Sequence, residues 1–341
     1  MLELLADNCR AIEAHLRQLG WIGPNETLQG LAKAGDGNMN RTLRIQLGNR
    51  TLVLKQSVPF VAKHPSIAAP ADRIATEAAF YRAAAQAPEL AQRLPAVLGF
   101  DPENRLLALE DLGAAADFTD IYLSDGGLQR TDIDAAHTGA LLDWLGILHN
   151  QRVATAERPL LDNRAMRALN HAHIFDIPLR ADNGIDLDAV TPGLNTLASG
   201  FHDDVQLRQC VAALGAIYLG DASHASTPAL LHGDYYPGSW LRHPRLGVAI
   251  IDPEFGFVGP PEFDVGVLIA HFTFARIGQT DLMTALRNYT APAGFSLPLA
   301  LAFAGTEVIR RLLGVAQLPL RADLATKATW LAAARQFVIT A

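Results

Sequence analysis

Cysteine is nearly missing: Cys9 and Cys210 are the only two in 341 residues. That excludes a disulfide framework and a thiolate zinc site. Charge is sparse, at 18% of residues, and the basic side is the weaker one, leaving a formal net charge of -7. Such a balance argues against nonspecific binding to nucleic acid or to an anionic membrane, although a local basic pocket remains open to it. Long apolar runs are lacking. Val265 to Ala275 is too short to span a bilayer, and the tract from Tyr289 to Thr306 is broken by Pro292, Gly294 and Pro298. The opening M-L-E-L-L-A-D-N-C-R carries charges where a secretion signal needs an apolar segment, so a cytoplasmic protein is expected. Chemical signatures are absent too. No histidine pair has H-E-x-x-H spacing, Ser239 lies in P-G-S-W rather than G-x-S-x-G, and no strand feeds a G-K-[ST] loop into a helix.

What is present is apolar bulk. Half of the residues are hydrophobic, enough for a large core, and the length suits two lobes sharing a cleft. Residues 3–19 carry Leu4, Leu5, Cys9, Ile12 and Leu16 on one helical face. Three antiparallel strands follow, at about 28–34, 42–47 and 51–55, with Gly48-Asn49 as a turn. A proline-rich loop (Pro59, Pro65, Pro70), an alanine-rich helix over 71–86 and strands at 94–98 and 106–109 complete a small sheet with one packed helix. Beyond Glu110 the pattern turns helical: 132–149, 160–172, 203–218, 262–276, 280–289, 297–313 and 322–338, interrupted by a β-like island at 230–251. The class is α+β. The boundary is expected near residue 110, with 1–110 as a small sheet lobe, expected from the motifs below to bind nucleotide, and 111–341 as a helical lobe expected to carry the catalytic loop and substrate site.

Three constellations could carry chemistry. In the island, L-L-H-G-D-Y-Y-P-G-S-W-L runs into I-I-D-P-E-F, and a hairpin between them brings Asp234 and Asp252 to one edge, with Glu254 just beyond. Carboxylates so close need a cation. Magnesium suits Asp252 and Glu254, because it takes one or two carboxylates and completes its shell with phosphate and water. Asp234 would then accept the proton of a substrate hydroxyl. The bland alternative is that these acids cap turns and helix starts. In the second, the turn A-G-D-G-N-M-N offers backbone amides to phosphate at Gly35, Asp36, Gly37, Asn38 and Asn40, or is simply a hairpin turn. Lys55 closes the third strand, and Glu77 on the following helix can reach back to it, the arrangement that positions nucleotide phosphates in kinases. Third, Arg310 and Arg311 end a helix whose dipole favours cations. They point about 100° apart, so one at most is expected to face a pocket.

Read in order, G-D-G-N-M-N, K-Q-S-V-P-F-V, the helix with Glu77, H-G-D-x-x-x-G-S, I-D-P-E-F-x-F-x-G-P with F-D-V-G, and I-R-R-L-L-G resemble the methylthioribose kinases. These belong to the aminoglycoside phosphotransferase and choline kinase group. The resemblance spans nearly the whole chain and implies a two-lobed protein-kinase-like fold, ATP and Mg2+ as cofactors, and a homodimer. It makes Asp234 the base and Asp252 and Glu254 the metal ligands. It lays the Gly35–Asn40 turn and Lys55 on the phosphates, and makes Glu110, Asp111 and Leu112 the hinge beside adenine. Arg310 and Arg311 would face a small-molecule hydroxyl acceptor, a methylthioribose phosphorylated at its anomeric hydroxyl. One departure stands out. Those kinases typically read H-G-D-L-H-T-G-S, and here Tyr235, Tyr236 and Pro237 follow the aspartate, which is expected to reshape the acceptor pocket. Another sugar, an amino alcohol or an aminoglycoside is the rival acceptor, and a nucleotide-binding regulator without transfer activity is the rival of another class.

Overall fold

The computed structural model describes residues 2–35, 37, 39–113, 115–123 and 133–341. Helix α1 (Cys9–Gln18) buries Ile12 and Leu16, one turn apart, against the sheet that follows. Strands β1 (Leu28–Lys33), β2 (Arg41–Leu47) and β3 (Arg50–Gln56) run antiparallel, and the Gly48-Asn49 turn sets Leu47 opposite Arg50. Alternation does the sorting: Leu43, Ile45 and Leu47 face the core while Arg44 and Gln46 turn away. A hairpin of β4 (Phe60–Val61) and β5 (His64–Ala68) occupies the stretch read as a proline-rich loop. Pro65 is tolerated there because β5 pairs on one side only. Helix α2 (Arg73–Ala84) is buried on nearly all sides and carries Glu77 inward. After the short α3 (Pro88–Ala91), β6 (Val97–Asp101) and β7 (Leu106–Glu110) complete a five-stranded sheet in the order β1-β2-β3-β7-β6. Strand β6 starts three residues later than expected, since Pro95 has no N–H to give a ladder.

The rest is mainly helical: α4 (Ala135–Asn150), α5 (Arg164–His171), α6 (Leu194–His202) and α7 (Val205–Leu219) come first. A π-helical turn over Ala172–Asp176 follows α5 directly. Asn163, in the left-handed region at φ 45°, breaks the single helix expected over 160–172. The island then folds as β8 (Ala229–Leu231), a β9 (Trp240–His243) and β10 (Gly247–Ile250) hairpin, and β11 (Phe257–Gly259), which pairs back onto β8. Helices α8 (Glu262–Phe274), α9 (Gln279–Leu286), α10 (Leu297–Leu313) and α11 (Leu324–Ile339) close the chain. Side-chain caps fix several starts: Asp134, Asp204, Ser296 and Asp323 each accept a backbone N–H of the first turn.

Two apolar clusters result. The smaller lies between α1 and the outer face of the sheet. The larger runs from α2 and β7 through the aromatic layer of Trp144, Tyr235 and Trp240 to α10 and α11, so the two lobes share it. At the crossing of α8 and α10, a side chain on Gly266 would meet the Ala300 carbonyl at 2.6 Å. Glycine lets α10 lie that close, and α10 carries Arg310 and Arg311.

Candidate active site

Asp234 leaves β8 through Gly233, whose φ is 81° and where an added Cβ would collide with the Phe255 carbonyl oxygen. The loop is held by Asp264 at the start of α8, whose two oxygens accept the N–H of His232 (2.6 Å) and of Gly233 (3.0 Å). His232 sits between the two acidic segments. Its Nδ1 accepts the Asp234 N–H at 3.4 Å, which leaves Nε2 to donate to the Ile251 carbonyl at 2.9 Å. Burial holds this ring neutral by lowering its pKa. Beside it, Ile251 N donates to the Ser239 carbonyl and Ser239 Oγ to the Asp234 carbonyl, each at 3.0 Å. The hairpin therefore returns Asp252 to the loop that carries Asp234. Asp252 itself adopts a left-handed conformation, φ 62°, ψ 49°, a strain that a non-glycine residue keeps only where its surroundings impose it.

Each acid faces its own cation. Lys55 Nζ donates to Glu77 Oε1 at 2.6 Å and also to Asp252 Oδ1. Burial disfavours the Lys55 charge, yet Asp252 and Glu77 raise its pKa well above the ordinary lysine value. Glu254 Oε2 accepts from Asn40 Nδ2 at 2.9 Å and lies 3.3 Å from Arg73 Nε. Burial, reinforced by the nearby Glu77, pushes the Glu254 carboxyl up to about 8. Asp234 Oδ1 lies 3.4 Å from Arg311 Nη2 and 3.7 Å from Arg310 Nη1. Among the described residues no three acidic or imidazole ligands gather as one metal-binding group. Protein cations thus attend all three acids: Lys55 meets Asp252, Arg73 lies beside Glu254, and Arg310 and Arg311 lie beside Asp234.

Both arginines reach Asp234, not one alone. The reason is Glu307, buried one turn earlier: its carboxylate accepts Arg310 Nη1 at 2.9 Å and Arg311 Nε at 2.6 Å. At i+3 and i+4 both guanidiniums fold over it toward the same side. The two tyrosines separate. Tyr236 lies under Arg311, whose Cζ is 4.9 Å from the ring centre. Tyr235 does not face the cleft: it is fully buried, stacks on Trp144 and donates to the Leu141 carbonyl at 3.0 Å. A tight turn, with Tyr236 N donating to the Asp234 carbonyl at 3.0 Å, separates the two rings.

In the glycine turn, Gly35 takes φ 71° and Gly37 is exposed, while Asp36 and Asn38 lie outside the described residues. The Met39 carbonyl accepts from the Arg73 guanidinium and from Ala62 N, tying this turn to α2 and the β4–β5 hairpin. At the end of β7, the side chains of Glu110 and Asp111 turn to protein. Glu110 accepts from Ala96 N at 3.2 Å, and Asp111 accepts Arg44 Nε and Nη2 at 2.7 and 3.0 Å. Leu112 follows, half-buried.

Residues 30–298 match the phosphotransferase enzyme family. The chain belongs to that family. It is an ATP-dependent phosphotransferase with a hydroxyl acceptor. It is 29% identical to a methylthioribose kinase of Exiguobacterium sibiricum, over 90% of this chain and 84% of that protein. A methylthioribose kinase of Pectobacterium atrosepticum is also 29% identical, with 79% of this chain aligned to 66% of the relative. Choline kinase LicA from Streptococcus pneumoniae superposes with a TM-score of 0.53 at 13% identity, covering 97% of this chain and 99% of that one. Spectinomycin phosphotransferase in complex with ADP and spectinomycin gives 0.53 at 11%, covering 97% of each. These likenesses establish a two-lobed protein-kinase-like fold.

Four residues of this phosphotransferase's site escape a reading by motif. Arg73, one turn before Glu77 on α2, reads in sequence as a surface arginine but is 1% exposed. Asp264 was visible within F-D-V-G, without a sign that it holds the His232-Gly233 turn ahead of Asp234. Glu307 reads as an ordinary helix acid, and its spacing to two arginines was the available signal. His271, inside an apolar helix, accepts or donates to Tyr122 Oη at 2.6 Å and Glu307 Oε1 at 3.2 Å, partners that no local pattern announces.

Proposed function

We propose that the chain transfers the γ-phosphoryl group of ATP to a hydroxyl of a neutral sugar, with S-methyl-5-thioribose as the leading acceptor. The observation that carries this reading is the pair of buried guanidiniums beside Asp234. The guanidiniums offer only donors beside the base; a sugar hydroxyl can accept from them, whereas the ammonium of an aminoglycoside or amino alcohol cannot. The relatives' names point to the same acceptor. Residues 1–110 are assigned to the nucleotide and 111–341 to the acceptor. Lys55, positioned by Glu77, faces the phosphates, and the backbone of residues 110–112 the adenine. Gly35, Asp36, Gly37, Asn38 and Asn40 cover the phosphates.

The donor set suits magnesium. Asp252 and Glu254 offer hard carboxylate oxygens, and the buried Asn40 Oδ1 beside Glu254 has no hydrogen-bond partner. Asp252 and Glu254 would hold the ion, which when bound neutralises charge on the phosphates. Asp234 orients the acceptor hydroxyl and takes its proton as the O–P bond forms, and Arg310 or Arg311 stabilises charge on the moving phosphoryl group. Tyr236 floors the acceptor site. The reading also places the reaction in the cytoplasm and the protein in a homodimer, as the resemblance to the methylthioribose kinases implies.

A phosphate-transfer screen over S-methyl-5-thioribose, other pentoses, choline and aminoglycosides tests the acceptor, and preference for a cationic compound would overturn the assignment. Asp234→Asn should lower turnover by about 10²–10⁴-fold while ADP affinity stays unchanged. Turnover at the wild-type rate would remove Asp234 from the mechanism.

A further inference from the structure

We infer that Tyr122 and His271 are positioning residues for the acceptor site, acting through Glu307 on the arginine pair. The inference rests on the reading of Arg310 and Arg311 as acceptor contacts. Glu307 is 1% exposed, and its Oε1 lies within 3.2 Å of three donors: Arg310 Nη1, Arg311 Nε and His271 Nε2. Guanidiniums can only donate and an ionised carboxylate can only accept, so His271 must donate through Nε2. Its Nδ1 is then an acceptor, and Tyr122 Oη at 2.6 Å is the donor that fills it. One direction of hydrogen bonding thus runs from Tyr122 through His271 to Glu307, which receives both arginines, and these reach Asp234.

The surroundings lock this order. His271 and Tyr122 are 0–1% exposed, and the imidazole packs against the Tyr122, Tyr236 and Phe274 rings. Burial, helped by the Arg311 charge, holds the ring down to about 4 against the pull of Glu307, so it is neutral in the working range. The 3-10 turn over Thr119–Leu123 that carries Tyr122 follows Phe118, whose N donates to the Pro237 carbonyl at 3.0 Å, and the Tyr122 carbonyl accepts Arg321 N at 3.1 Å. Without the His271 donor the Glu307 carboxylate keeps only the two arginines of its own helix as partners, and the cluster loses its one anchor on α8.

The test compares His271→Asn, which loses the donor at the ε position, with His271→Gln, which keeps it, and with the isosteric Tyr122→Phe. Kinetics use ATP and S-methyl-5-thioribose, and ADP binding is measured by calorimetry. His271→Asn should raise the acceptor KM by about tenfold and Tyr122→Phe by about fivefold, with His271→Gln within about threefold of wild type and ADP affinity unchanged in all three. Equal losses in His271→Asn and His271→Gln, or a matching loss of ADP affinity, would mean a packing role only and overturn the inference. Arg310→Lys and Arg311→Lys separate the two readings: if they leave the acceptor KM unchanged, the arginine assignment fails first. Nitrogen-15 spectra of the histidine rings need no acceptor. They should show His271 as a neutral Nε2–H tautomer at pH 6, and a charged or Nδ1–H ring would refute the proposed direction.

Discussion

Arg73 donates to the carbonyls of Val58, Pro70 and Met39 and lies beside the Glu254 carboxylate, all from a position 1% exposed. One side chain thereby joins the glycine turn, the β4–β5 hairpin and the D-P-E turn. Removing it takes the cation from beside a buried acid and a donor from each of three carbonyls. Arg73→Met should cost roughly 3–5 kcal/mol in urea unfolding, the range for breaking a buried pair, and raise the KM for ATP. Arg73→Lys keeps the charge but not the fork, so it should fall between the two; a lysine variant as stable as wild type would count against the geometry. Tyr235 makes the opposite case. Because its hydroxyl serves the Leu141 carbonyl and nothing in the cleft, Tyr235→Phe should lose roughly 1 kcal/mol of stability and leave the acceptor KM alone. A changed KM would put Tyr235 back among the acceptor contacts. The motif around Asp234 could be read from sequence, but which neighbouring phenol turns inward depends on Trp144, ninety-one positions earlier.

At the scale of elements, periodicity carried most of the reading. The β2–β3 pair, with apolar residues alternating about a Gly-Asn turn, and α10, capped by Ser296, were legible because their signals are local. Pairing across long separations was not. Strand β8 finds β11 nearly thirty residues on through only three residue pairs, too few to leave a period. The β4–β5 hairpin was hidden by Pro59, Pro65 and Pro70, and α6 by Gly193 and Gly200 at and within its short span. Helix contacts are equally non-local, and Gly266 tests one of them. A methyl group there would meet the Ala300 carbonyl at 2.6 Å and Phe303 Cβ at 2.7 Å, so α8 and α10 must part. Gly266→Ala should cost about 1–3 kcal/mol and shift the arginines relative to Asp234. The measurements are the melting temperature and the acceptor KM. Unchanged values of both would show that the crossing relaxes without moving the site.

Across the whole molecule, the site's charges are bound into the larger core, and this couples acid stability to the catalytic architecture. His271 titrates near 4 in the folded chain, against about 6.5 for an unhindered imidazole. Above pH 6.5 the ring is neutral whether the chain is folded or not, so it adds no pH dependence. Between 6.5 and 4 the unfolded chain takes up a proton that the folded one refuses, and stability falls with pH, by about 3 kcal/mol over that window. Glu307 continues the trend. Burial opposes its charge, but Arg310 and Arg311 hold its carboxyl well below the usual range. Its stabilising contribution is therefore complete above about 4.5 and disappears as pH falls through the folded value. His232, buried and likewise lowered, acts with the same sign as His271, so wild type alone cannot assign the slope. The difference between wild type and His271→Gln can. Glu254, its carboxyl raised to about 8, acts with the opposite sign, so the prediction is the difference: between pH 7 and pH 4.5 the urea midpoint of wild type should drop relative to that of the variant, since glutamine has no proton to take up. Parallel curves would show that His271 titrates normally, which requires a wetter, looser surrounding than the one that aims the arginines at Asp234.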